Sequence, residues 1–119
     1  MRINNSYFAI RVQLINLENN EKLEYRSLYS HLHKIGLREY FFDEHDNEIK
    51  LPEGMYAILS YNYTGESILR KTADAIEEAL KEFYPNSWSN KFTLMISGPG
   101  TIYYEHLEHE NSEKKSNHK

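Results

Sequence analysis

SYFAIRVQLINL, residues 6–17, alternates apolar and polar side chains. Phe8, Ile10, Val12 and Leu14 fall on one side and Tyr7, Ala9, Arg11 and Gln13 on the other, which is the two-residue period of a half-buried strand. Outward from this strand the period changes. After a polar turn at LENNE (17–21), residues 22–35 place Tyr25, Leu28, Tyr29, Leu32 and Ile35 at helical spacing, and Gly36 then supplies a left-handed C-cap. The aromatic run LREYFFD (37–43) predicts a second strand, EHDNE (44–48) a hairpin loop, and Ile49 to Leu51 an extension of that hairpin up to Pro52. After a bend at Gly54, MYAILSYNY (55–63) predicts the third strand.

Thr64 opens a second helix as its N-cap. Over residues 67–83, Leu69, Thr72, Ala73, Ile76, Ala79, Leu80 and Phe83 share one face, while Arg70 with Asp74 and Glu77 with Lys81 make i,i+4 pairs on the other. Tyr84-Pro85-Asn86 stops the helix, KFTLMIS (91–97) alternates as a fourth strand, SGPG (97–100) reads as a turn and TIYYEHL (101–107) as a short extra strand. The order β-α-β-β-α-β, with right-handed crossovers, predicts an α+β ferredoxin-like sandwich: a four-stranded antiparallel sheet with two helices on one face. Residues 1–107 form that single domain, and the polar stretch 108–119 (EHENSEKKSNHK) reads as a solvated tail.

Composition narrows the function classes. The 119 residues allow one core, and no apolar run is long enough to cross a bilayer. MRINNSYF lacks the apolar segment of a signal peptide, so a cytoplasmic protein without a membrane partner is expected. With no cysteine there is no disulfide scaffold, thiol nucleophile or Cys-ligated zinc. A net charge of −4 argues against coating nucleic acid non-specifically, and no DNA partner is expected.

The same topology occurs in RNA-recognition motifs, but Gln13 stands at the aromatic position of the first motif. The segment from Glu53 to Ser60 lacks the basic residue and the aromatics of the second. The first helix is more informative. Lys22, Arg26, Tyr29 and His33 fall at i, i+4, i+7 and i+11, on one flank of its apolar face. Metal-free RNA cleavage needs a base for the 2′-OH, an acid for the leaving oxygen and cations for the phosphorane. In that reading His33 is the base, Arg26 the charge stabiliser, Tyr29 a stacking platform and Lys22 a phosphate contact, whereas His31 lies on the opposite flank. The bland alternative is a solvated helix edge.

No metal or other cofactor is expected. DEHDNE (43–48) lacks the glycine and glutamate positions of an EF-hand, Glu105-His106-x-x-His109 has no third ligand in sequence, and Gly98-Pro99-Gly100 lacks the Lys-Ser/Thr of a phosphate loop. The ten tyrosines suit interfaces, and Tyr7 with Tyr56 or Tyr61 is expected to pave the open face of the sheet.

Across residues 25–108, the pattern Tyr25-x-x-Leu28, Leu32, Gly36-Leu37, Leu51-Pro52, Tyr56, Ile68, Ala73, Ala79 and Phe92-x-Leu94-x-Ile96, ending Tyr104, Leu107-Glu108, resembles the GhoS-like family. These are small ferredoxin-like proteins that include the endoribonuclease antitoxin of type V toxin–antitoxin systems. The resemblance implies cleavage of messenger RNA by arginines of the first helix. Of these the matching stretch RSLYSH (26–31) keeps Arg26 and adds a histidine. Asn16 and Glu18 stand where the structurally related CRISPR-adaptation nucleases place an aspartate, which argues against metal-dependent cleavage. Two functions are therefore expected. One is an antitoxin-type endoribonuclease or RNA-binding regulator acting on single-stranded RNA. The other is a non-enzymatic interaction module, either a homodimer or an antitoxin, immunity or inhibitor protein that binds a protein partner through the sheet face.

Overall fold

In the computed structural model, which describes residues 6–18 and 21–107, the alternating segment is the centre of the architecture. Strand β1 (Tyr7–Leu14) is followed by helix α1 (Glu21–Lys34), β2 (Tyr40–Phe42), β3 (Glu48–Lys50), β4 (Met55–Leu59), helix α2 (Gly65–Lys81), a 3-10 turn (Trp88–Asn90) and β5 (Phe92–Gly100). β1 lies between β4 and β5, antiparallel to both, with Ile10 opposite Tyr56 on one side and Ile96 on the other. That pairing turns the even-numbered residues of β1 to one face. There Phe8, Ile10, Val12 and Leu14 join Leu28 and Leu32 of α1 and Ile68, Ile76 and Leu80 of α2 in one buried cluster. Both helices therefore pack on the same face of the sheet, as the two periodicities require.

The expected four-stranded sheet is instead a three-stranded sheet plus a two-stranded hairpin. The chain leaving α1 touches β4 through a single bridge, Arg38 to Ala57, with hydrogen bonds of 3.1 and 2.8 Å. It then turns away and pairs β2 with β3. The hairpin itself lies where EHDNE predicts it, closed by its loop. Asp43 accepts hydrogen bonds from the backbone N–H groups of His45 and Asn47, both at 2.9 Å, which closes a tight turn. The hairpin's apolar residues, Phe41 and Ile49, then cover Tyr7 and Ala57 on the face away from the helices, forming a second small core with Leu51.

Local signals set the element ends. Helix α1 closes in a Schellman motif: Leu37 N–H donates to Leu32 C=O, Gly36 N–H donates to His33 C=O, and Gly36 sits at φ +100°. Helix α2 opens with a capping box between Thr64 and Ser67. Three boundaries differ from expectation. β4 stops at Leu59 and leaves Tyr61 in an exposed turn. The SGPG segment belongs to β5, whose pairing with β1 shifts register between Tyr7 and Ala9. Residues 101–107 add no strand. The tail expected at 108–119 lies outside the described residues.

Candidate functional site: a groove beside the first helix

Helix α1 buries Glu24, Leu28 and Leu32 and leaves the flank carrying Lys22, Arg26, Tyr29 and His33 toward solvent. Beside that flank, the turn before β4 is tied to β1 by a 2.9 Å hydrogen bond from Val12 N–H to Gly54 C=O. The tie sets Glu53 opposite the helix and makes a groove of two adjoining hollows. One, of about 210 Å³, is lined by Arg11, Gln13, Tyr25, Tyr29, Glu53 and Tyr56, among others. The other, of about 430 Å³, is lined by Glu21, Lys22, Tyr25, Arg26, Tyr29 and Glu53. Tyr25 and Tyr29 stand at i,i+4 with ring centroids 5.9 Å apart, tilted by 41°.

The structure brings three of the four sequence-selected residues, Lys22, Arg26 and Tyr29, to this groove and leaves the fourth outside it. The side chain of Arg26 makes no ion pair or hydrogen bond among the described residues, so its five donors face solvent. His33 lies beyond the groove, where its Nε2 donates to the Glu39 carboxylate at 2.8 Å. His31 donates from Nδ1 to Ser27 C=O at 2.8 Å, on the other flank.

The groove's field is mixed. Burial pushes the Tyr29 hydroxyl pKa up, and the charges of Glu53 and Glu39 push the same way. The phenol is therefore a neutral donor rather than an anion. Three acids that neighbour the basic flank in sequence, Glu18, Glu21 and Glu24, have separate fates. Glu21 lines the groove, Glu18 pairs with Lys91 Nζ at 2.9 Å, and Glu24 is fully buried. Glu53, Tyr25, Tyr56, Arg11 and Gln13 line the groove but were not assigned to a site with the basic flank in the sequence. Tyr25 sits at a core spacing, and Glu53 reaches the groove only because a distant backbone bond holds its turn.

Tyr7 and Tyr56 do not pave an open face. Tyr56 points into the helix-side core at 2% exposure. Tyr7 lies under the hairpin, edge-on to Phe41 with centroids 5.8 Å apart, and its hydroxyl accepts from Phe42 N–H. Among the described residues no group of three or more acidic or histidine side chains is arranged to hold a metal ion, and no helix is long and apolar enough to cross a membrane. The third histidine-motif residue, His109, lies outside the described residues. Comparison with protein-family models, with curated proteins and with solved structures finds no match to this chain.

Proposed function

We propose that this chain is an antitoxin-type regulator that binds single-stranded RNA in the α1 groove and works in the cytoplasm. The observation that supports this reading most is the meeting of Lys22, Arg26 and the Tyr25–Tyr29 pair in one groove. Cations that meet phosphate beside rings that stack bases are the ingredients of single-strand binding. The connectivity supports a ferredoxin-like fold in which the Arg38 bridge marks the fourth strand position.

Cleavage is the further step of the same reading. The Glu39 carboxylate orients His33 at Nε2 and leaves Nδ1 to take a proton from a 2′-hydroxyl; the 2′-oxygen then bonds to phosphorus, the P–O5′ bond breaks, and the leaving 5′-oxygen takes its proton from water. Arg26 and His33 are seven residues apart, about 10 Å along the helix axis at the α-helical rise. Both must therefore reach over Tyr29 to act on one phosphate.

The test is incubation with a mixed pool of single-stranded RNA, with and without EDTA, at several salt concentrations. Two phosphate contacts, from Lys22 and Arg26, give a slope of log K against log salt of about −1.4. Tyr29→Ala weakens binding by about 1–3 kcal/mol through lost stacking. Products that persist in EDTA and vanish in Arg26→Ala and His33→Ala assign cleavage to this helix. RNA that stays intact and unbound at low salt overturns the reading. The second reading, a protein-binding module, then takes its place. It is favoured by Glu21 and Glu53 in the groove and by the net charge of −4, both of which suit a basic partner.

A further inference from the structure

Strand β5 is the edge of the three-stranded sheet. It is nine residues long and reads FTLMISGPG, with no charged residue anywhere along it. Edge strands of soluble proteins are commonly blunted by lysines, inward-pointing charges or shortness, because their free backbone groups are a template for another strand. β5 has none of these over Phe92–Ser97, and its proline comes only at position 99.

The register identifies which groups are free. Val12 N–H bonds toward β4, and Ile15 N–H bonds toward the β5 side through Lys91 C=O. The odd-numbered residues of β1 therefore bond toward β5, and their partners there are Thr93, Met95 and Ser97. By alternation, the N–H and C=O groups of Leu94 and Ile96 point away from β1. Among the described residues nothing pairs with them. Their side chains are only half-buried on the helix face, and Met95 on the other face is 66% exposed.

We propose that β5 is a self-pairing edge: two copies of this chain join antiparallel through it, extending the three-stranded sheet into a six-stranded one. A two-fold axis at Met95 sets Leu94 against Ile96 of the second copy in a hydrogen-bonded pair and Met95 against its own copy. A second copy is the fitting occupant because the strand is uncharged. Self-pairing brings no like charges into register, whereas a basic or acidic partner strand would find no complementary charge. The proposal is independent of the groove, which lies beside α1 and is built from β1 and the turn before β4 rather than from β5.

Sedimentation and light scattering of the full chain across a concentration series test it, together with hydrogen exchange read amide by amide. The expected result is an apparent mass that doubles with concentration, with the Leu94 and Ile96 amides slowing in step. The Thr93 and Met95 amides, already bonded to β1, stay slow throughout. Met95→Lys sets two cations against each other on the axis and returns the mass to one chain while leaving the circular dichroism spectrum unchanged; Met95→Leu keeps the doubled mass. Raising salt strengthens the pair by screening the charge of −4 on each copy, whereas it weakens RNA binding. Failure here is thus separable from failure of the groove reading. A mass of one chain up to millimolar concentration overturns the proposal. So does a dimer in which Leu94 and Ile96 still exchange fast, or a monomer in which they are protected by a segment of the same chain.

Discussion

Both carboxylate oxygens of Glu24 lie inside the protein with no hydrogen-bond partner among the described residues, and the residue is 0% exposed. The helical period explains how it got there, since Glu24, Leu28 and Leu32 occupy one stripe of α1. A polar group buried without a partner costs its desolvation penalty. Glu24→Met, which keeps the length of the side chain and removes the carboxylate, is therefore expected to stabilise the protein by about 1–3 kcal/mol. Urea unfolding of the two proteins checks this, and a lowered midpoint would mean that Glu24 has a role in the fold that its burial conceals. The same burial removes Glu24 from the solvent face of α1, so it does not line the groove where Arg26 and Lys22 stand.

At the scale of elements, the β2–β3 hairpin depends on Asp43. Desolvation pushes the Asp43 carboxyl pKa up. The hydrogen bonds it accepts from the Asn47 and His45 backbone, the Asn47 side chain and the Tyr104 hydroxyl outweigh this and hold it below the ordinary carboxylate value. A carboxyl whose folded pKa is lowered contributes stability that is complete above its unfolded value and is lost as pH falls through the folded one. Acidification through the carboxylate range should therefore loosen the hairpin before the helices. Asp43→Asn should cost about 0.5–1 kcal/mol at neutral pH, kept small by solvent exposure, and should flatten this part of the acid dependence. Thermal unfolding of both proteins from neutral pH downward measures it. An identical acid profile in the variant would show that other carboxylates carry the loss.

At the scale of the whole molecule, Lys91 joins segments far apart in the chain. Its ammonium donates to Asn16 C=O at 2.6 Å and to the Glu18 carboxylate at 2.9 Å, and lies 4.5 Å from the centre of the Tyr84 ring. The side chain is 5% exposed, whereas Glu18 is 74% exposed, so removing the lysine strands no buried anion. What is lost is a set of charge-assisted hydrogen bonds and a cation–π contact. Lys91→Ala is expected to cost about 2–3 kcal/mol. The partly exposed i,i+4 pair Glu77–Lys81, at 2.7 Å and with the Lys81 ammonium 5.9 Å from the centre of the Trp88 ring, should by contrast change stability by about 1 kcal/mol or less when Lys81 is truncated. Equal effects in the two variants, read from urea midpoints, would contradict the burial argument.

Much of the fold was legible because its signals are local. Alternation from Phe8 to Leu14, the helical periods of α1 and α2, the cap at Thr64 and the glycine at 36 each depend on residues within a few positions of one another and stand in the structure, although α2 is turned so that Ile68 and Ala75 are buried while Leu69, expected on the buried face, is 45% exposed. The basic flank of α1 was legible for the same reason. What the chain's own order could not reveal is which surfaces meet. The β2–β3 hairpin itself was legible in EHDNE, but its folding over the sheet, with a single bridge to β4, placed Tyr7 under it, although alternation alone assigns Tyr7 outward. The bond from Val12 to Gly54 set Glu53 across from Arg26 and made a groove from a helix edge. By itself the sequence determined where the two helices and the main strands lie and how the helices are capped, because hydrophobic period and capping are short-range physics. Only the tertiary structure decided the split of the sheet, the buried state of Glu24 and the open edge of β5, because each of these depends on what long-range packing and hydrogen bonding bring, or fail to bring, against a surface.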